Sequence, residues 1–165
     1  MKHTSSALIA TVVGLLGGIA LAASNDQSFA TEAARAGAAE VAAGQLAQQK
    51  ASSPQVKHFG QTLIADHTQA NNELEQIAQQ KKLALPIQLS EDQRSEIEKL
   101  QGLSGSDFDR HFVQDQIKDH QQDIQLFQQE AATGKNGTLK AYSEKVLPVL
   151  RKHLQIAESL ASSQH

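Results

Sequence analysis

Apolar residues recur at alternating steps of three and four along four long segments of the chain. This spacing puts their side chains on one face of an α-helix. No alternating strand pattern of useful length interrupts the segments. The pattern predicts an all-α fold, an antiparallel four-helix bundle. Its long helices are expected over the approximate ranges Phe29 to Lys50, Gln55 to Lys82, Asp107 to Ala132 and Thr138 to Ala161.

Local signals predict where several helices begin. Ser53-Pro54 supplies a capping hydroxyl and a first-turn proline for the second long helix. Ser90 and Gln93 have the spacing of a capping box, which predicts a short extra helix between the second and third long helices. Ser106 and Asp109 repeat that spacing at the start of the third long helix.

The N-terminus has the pattern of an export signal. Lys2 is followed by an uncharged apolar stretch from Ala7 to Ala22, which ends in the small-x-small pattern Ala20-Leu21-Ala22. The competing interpretation is an uncleaved membrane anchor, but the stretch is short for a span and contains three glycines. We therefore expect a signal peptide at residues 1–22, a bundle domain at residues 23–165 and a periplasmic location.

Composition excludes several classes of protein. The chain has no Cys, so disulfides, thiolate metal sites and a lipoprotein anchor are excluded. The formal net charge is −3 without a basic stripe, which argues against nucleic-acid binding. No stable membrane insertion is expected once the signal peptide is removed.

Each predicted bundle seam is apolar except near its middle, where it holds one residue that can bind a metal. With a helix rise of about 1.5 Å per residue, these four residues lie roughly 18–24 Å from the neighbouring turns. They are therefore expected to form one layer, made of Glu40, His67, His120 and His153.

A buried layer of this kind needs partners, because unpaired polar groups in a core are costly. One answer is a transition metal bound by three imidazoles and a carboxylate, a set that suits zinc, iron, copper(II), nickel or manganese. The other is a metal-free polar network in which Glu40 pairs with a protonated histidine. Asp66 and Asp119 each precede a seam histidine. Each could accept a hydrogen bond from a histidine of an adjacent helix, or simply face solvent.

The sequence predicts no catalytic residue. It has no phosphate-binding glycine loop, no Gly-x-Ser-x-Gly motif and no Glu-x-x-His pair of a di-iron bundle. A periplasmic metal-binding protein is the first hypothesis, and a non-enzymatic envelope stress or interaction module is the second. A metal-dependent redox enzyme is a third, which rests on fold analogy.

Several stretches together resemble one family of exported bacterial proteins, the "domain of unknown function" family numbered four-one-four-two. The resemblance covers essentially the whole mature chain. It implies a ferritin-like helical bundle and an envelope location, often labelled outer-membrane, but no established activity. The stretches that carry it include Ala39-Glu40-Val41, Gly44-Gln45-Leu46-Ala47, Val56-Lys57-His58-Phe59-Gly60, Asp66-His67-Thr68-Gln69-Ala70-Asn71, Phe108-Asp109-Arg110, Asp119-His120 and His153-Leu154.

Overall fold

The structure, a computed structural model, describes residues 16–86 and 88–163, with side chains from Asn25 onward. Within these residues the chain is all-helical and has no strand, as the sequence predicts. None of the helices described is both long enough and apolar enough to cross a membrane. In chain order the helices are α1 (Leu16–Lys50), α2 (Pro54–Lys81), α3 (Glu91–Gln101), α4 (Gly105–Thr133) and α5 (Gly137–Ser163).

Two of the predicted helix starts are confirmed. The Ser53 hydroxyl accepts a hydrogen bond from the amide of Val56 at the start of α2. Ser90 and Gln93 form the complete capping box of α3. Helix α1, by contrast, already includes Leu16, the first residue that the structure describes, well before the predicted Phe29; no proline interrupts the intervening residues. Residues 1–15 of the predicted signal peptide lie outside the described residues.

Ser106 and Asp109, whose spacing is that of a helix cap, do not cap α4. Its N-cap is Ser104, which makes no side-chain capping hydrogen bond. Asp109, the expected partner of Ser106, is buried and accepts hydrogen bonds from the amides of Ser52 and Ser53 at 3.1 and 2.9 Å. The carboxylate accepts these hydrogen bonds from the turn between α1 and α2, and so it holds that turn against α4.

The four long helices contact one another in a ring. Helix α1 packs on α2, α2 on α5, α5 on α4 and α4 on α1, while α3 lies against α1 and α4. Helices α1 and α2 approach very closely at two glycines. A Cβ atom added at Gly44 would lie 2.6 Å from the carbonyl oxygen of Gly60. Glycine is required here because any side chain would force the helices apart.

The interior is divided into two apolar clusters. One lies toward the α1–α2 turn and includes Phe59, Leu63 and Phe112. The other lies toward the α4–α5 turn and includes Leu74 and Phe127. In every long helix the buried residues of the two clusters are separated by about two to four turns, and the predicted polar layer falls in that gap.

Candidate metal centre

The polar layer lies in the gap between the two apolar clusters. Each long helix contributes one of its four residues, and packing above and below buries them all. Their relative exposures are 3% for Glu40, 5% for His67 and 0% for both His120 and His153. Four ionisable side chains buried to this degree require specific partners or a bound ion.

The three imidazole rings converge at the centre of this layer. Their centroids are 5.7 Å apart for His67 and His120, 5.3 Å for His67 and His153, and 5.2 Å for His120 and His153. One ring nitrogen of each histidine lies within 4.8 Å of the corresponding nitrogens of the other two. Three buried histidines this close together could hold a metal ion.

Hydrogen-bond partners outside the cluster fix the proton positions on two of the rings. His153 Nε2 lies 2.9 Å from an Asp66 carboxylate oxygen. His120 Nδ1 lies 3.0 Å from the backbone carbonyl oxygen of Gln116. A carboxylate and a carbonyl accept hydrogen bonds, so each of these nitrogens carries the proton and donates it outward. The second nitrogen of each neutral ring is then left with a free lone pair.

Those two free lone pairs face each other. His120 Nε2 and His153 Nδ1 are 3.2 Å apart, and neither has a proton to donate when both rings are neutral. Two acceptors at this distance repel unless a cation or a shared proton lies between them. Ligand nitrogens of a tetrahedral metal with bonds of about 2.0–2.1 Å are separated by about 3.3 Å, so the spacing suits coordination.

His67 provides the third ring. Its Nε2 atom is buried and has no hydrogen-bond partner. An unsatisfied buried imidazole nitrogen costs about 1–3 kcal/mol, and coordination to a metal would remove that cost. Its neighbours in the layer are the rings of His120 and His153, and both rings donate their protons elsewhere.

Burial keeps all three imidazoles neutral. It lowers the pKa of His67 well below its usual value, and the neighbouring rings lower it further. Burial and His153 lower the pKa of His120 to about 3. The pKa of His153 is also lowered by burial, although Asp66 offsets part of the effect. Neutral imidazole is the form that binds metals, so the site is prepared for a cation at neutral pH.

Glu40, predicted as the fourth ligand, approaches a different edge of the cluster. Its Oε1 atom lies 3.8 Å from His120 Nδ1, the nitrogen that points away from His153. Its Oε2 atom is buried without a partner. Burial raises the pKa of Glu40, Asp123 and Asp119 raise it further, and a hydrogen bond from Gln116 offsets part of the rise. In this arrangement Glu40 lies beside His120 and outside the group of three converging nitrogens.

The two aspartates that precede the seam histidines have different surroundings. Asp66 of α2 reaches across to His153 of α5, as one sequence interpretation expected. Asp119 instead lies beside Lys118, 3.9 Å from its ammonium group, on the side of α4 that faces α3. Burial and the nearby Glu96 raise the pKa of Asp119 to about 7. Of these two aspartates, Asp66 contacts a histidine of the cluster and Asp119 does not.

Two polar residues that the sequence did not single out belong to the surroundings of the layer. Gln116, 1% exposed, lies one turn before His120 and supplies both its carbonyl and its side chain. Asp123 lies one turn after Asp119, and burial raises its pKa to about 7. Gln116 falls between seam positions Val113 and Ile117. Nothing in the sequence pattern distinguishes Gln116 from the many other glutamines of the chain.

Comparison with known proteins gives one result. No curated protein and no solved structure matches the chain. A family described as "Domain of unknown function (DUF4142)" matches residues 18–160, a range that contains all four layer residues and both aspartates. The resemblance drawn from the sequence motifs is thereby confirmed, and the chain belongs to the DUF4142 family of unknown function.

Proposed function

We propose that this chain is an exported bacterial envelope protein that binds one transition-metal ion through His67, His120 and His153. The observation that carries the proposal is the 3.2 Å contact between two imidazole nitrogens whose rings both direct their protons outward. A metal ion accepts both lone pairs and removes their repulsion. The third imidazole completes a nitrogen-rich set that suits zinc, iron, copper(II), nickel or manganese.

The neighbouring carboxylates have distinct roles in this proposal. Asp66 orients His153 and increases the basicity of its ligand nitrogen, as carboxylates next to metal-bound histidines do. The sequence predicts Glu40 as the fourth ligand, but its carboxylate would have to cross to the other edge of His120 to reach the ion. In the observed conformation it is placed to support His120 from outside, and a water molecule would complete the coordination.

A path for the ion lies between α2 and α5. A cavity of about 80 Å³ is lined by His67 and Asp66 and by the apolar side chains of Val146 and Val149. It is large enough for a water-sized ligand and reaches one side of the cluster. A metal at the three imidazoles would thus have an open position on this side.

A metal-free role is the second candidate, because a proton could replace the ion. If His153 were doubly protonated, it could donate to Asp66 on one side and to His120 on the other. The layer would then be a structural polar network within a non-enzymatic envelope stress or interaction module. Burial lowers the pKa of His153, which weakens this alternative at neutral pH.

The proposal includes a ferritin-like four-helix bundle and a periplasmic location. The ring of contacts among the four long helices supports the bundle. Lys2, the apolar stretch and Ala20-Leu21-Ala22 support export. N-terminal sequencing of the protein from a periplasmic extract should begin at Ala23. A full-length chain retained in the cell would contradict export with cleavage.

The experiment that tests metal binding is elemental analysis of untagged protein purified without chelators. Near-stoichiometric transition metal is expected, and it should be lost in the double variant His67→Ala/His120→Ala. The matched control is His58→Ala/His111→Ala. It removes an exposed histidine of α2 and a half-buried one of α4, neither of which belongs to the cluster.

Circular dichroism should show that both double variants remain helical. If the His67→Ala/His120→Ala variant does not fold, the conservative pair His67→Gln/His120→Gln replaces it. Absence of metal after loading with each of the five ions would overturn the proposal. Equal metal loss in the control variant would also overturn it, because binding would then depend on surface histidines.

A further inference from the structure

A second polar cavity lies on the opposite side of His120, between α1, α3 and α4. Its volume is about 430 Å³, enough for a hydrated ion. Five carboxylates from three helices line it: Glu40 of α1, Asp92 and Glu96 of α3, and Asp119 and Asp123 of α4. Asp119 and Asp123 are four residues apart, so their side chains project from one face of α4 about one turn apart.

Positive charge is scarce in this cavity. Among the described lining residues, Lys118 is the one cation, and it pairs with Glu96 at the half-exposed rim. Within the part of the chain that the structure describes, neither Glu40 nor Asp123 forms an ion pair with a lysine or arginine. The two innermost carboxylates therefore lack a protein cation.

Glu40 provides a second and independent indication that the cavity is a binding site. Its side chain is 4% exposed, and its Oε2 atom is buried without a hydrogen-bond partner. A buried carboxylate oxygen with no donor is costly, and such groups usually pair or coordinate a metal. Glu40 lines the acidic cavity, so an ion in the cavity could satisfy this oxygen.

We propose that this cavity binds a hard divalent cation, such as calcium or magnesium, through Glu40, Asp119 and Asp123. Carboxylate oxygens and waters are the ligands that both ions take, and several waters fit in the available volume. The ion would neutralise the carboxylates that repel one another across the cavity. Glu96 remains paired with Lys118 and closes the rim.

This site is chemically separate from the histidine centre. Calcium takes oxygen ligands, whereas the three imidazoles suit transition metals. Glu40 lies between the two sites, but the proposed calcium ligands Asp119 and Asp123 do not contact the histidine cluster. Calcium binding can therefore succeed or fail regardless of whether the histidines bind zinc.

The test is calorimetric titration of the full-length protein with calcium chloride, and separately with magnesium chloride, at pH 7.5. One ion per chain is expected, together with a higher melting temperature. The variant Asp119→Asn/Asp123→Asn should weaken binding at least 100-fold. It is expected to fold, because asparagine removes repulsion between like charges and keeps the side-chain size. The matched control Glu91→Gln/Glu98→Gln removes two exposed acids of α3 and should bind the ion normally.

The histidine variant His67→Ala/His120→Ala should retain calcium binding, which distinguishes this site from the transition-metal centre. No binding of either ion to the unsubstituted protein would overturn the proposal, since it would mean that the carboxylates share protons instead. Binding that persists in Asp119→Asn/Asp123→Asn would also overturn it, by placing the ion elsewhere.

Discussion

Replacing Asp66 by asparagine tests whether the carboxylate beside His153 supports a metal ligand. Asparagine has nearly the same size and still offers an oxygen that can accept the proton of His153 Nε2. It removes the negative charge that lies 2.9 Å from this nitrogen. The charge makes the opposite nitrogen a better electron donor, and that nitrogen is the one that faces His120. Affinity for zinc should therefore fall while the fold is retained.

The exposure of Asp66 sets the expected magnitude. Removal of such an outer partner typically weakens metal binding by about 10–100-fold. The Asp66 side chain is 38% exposed, so solvent screens part of its charge. We expect a loss near the lower limit for Asp66→Asn, about 10-fold or roughly 1.4 kcal/mol. Asp66→Ala should lose more affinity, because only water then remains to accept the proton.

Competition between metal-free protein and a chromophoric zinc chelator, at pH 7.5 and fixed salt, measures this loss. The control is Glu73→Gln. Glu73 is also an acid of α2 that reaches α5, but it pairs with Lys145 at 2.6 Å and contacts no histidine. An affinity unchanged within two-fold in Asp66→Asn would refute the reasoning. An equal loss of affinity in the Glu73→Gln control would also refute it, because the affinity would then depend on the overall negative charge of α2 and α5 and not on the contact with His153.

Three further predictions concern the fold. Gly44→Ala should destabilise the protein to urea by about 1–3 kcal/mol, because its Cβ would press on the Gly60 carbonyl; Gly137→Ala, which has open space around it, should not. Asp109→Ala should cost roughly 2–4 kcal/mol by the same assay, since it leaves the donors of the α1–α2 turn unpaired. Burial raises the pKa of Asp123 to about 7. The contribution of this carboxyl group to the free energy of unfolding is therefore fully present below about pH 4 and is lost as the pH rises through 7. Metal-free Asp123→Asn should therefore lose less stability than the unsubstituted protein between pH 4 and pH 7, by about 3 kcal/mol at most; identical pH profiles would contradict this.

Periodicity was sufficient to predict the parts of the structure that depend on one helix at a time. The seam positions Val56, Phe59, Leu63 and Leu74 are all buried, because a step of three or four keeps a residue on the same face of a helix. Helix rise alone placed the histidines at a common depth, since every residue adds the same length. The convergence of the three rings follows from these two regularities.

The details that depend on side-chain rotation or on distant pairing could not be predicted. Helix geometry locates Glu40 within a few ångströms, but it does not determine which edge of His120 the carboxylate reaches. Asp109 was assigned to its own helix start because capping rules are local, whereas its donors lie 56 and 57 residues earlier. The acidic cavity depends on how α3 lies against α1 and α4, and no pattern in a single helix encodes that contact.

The two kinds of proposed ligand lie on different faces of helix α4. His120 points inward toward α2 and α5, whereas Asp119 points toward α3, as expected for neighbours about 100° apart around a helix. The proposed nitrogen ligands therefore lie on one side of α4 and the proposed oxygen ligands on the other, with Glu40 beside both. If the two proposals hold, two adjacent residues of α4 serve different sites: His120 the transition-metal site and Asp119 the calcium or magnesium site. Zinc binding should then be lost on removal of the imidazoles, and calcium binding on removal of the aspartates. Each set of substitutions should leave the binding of the other metal nearly unchanged.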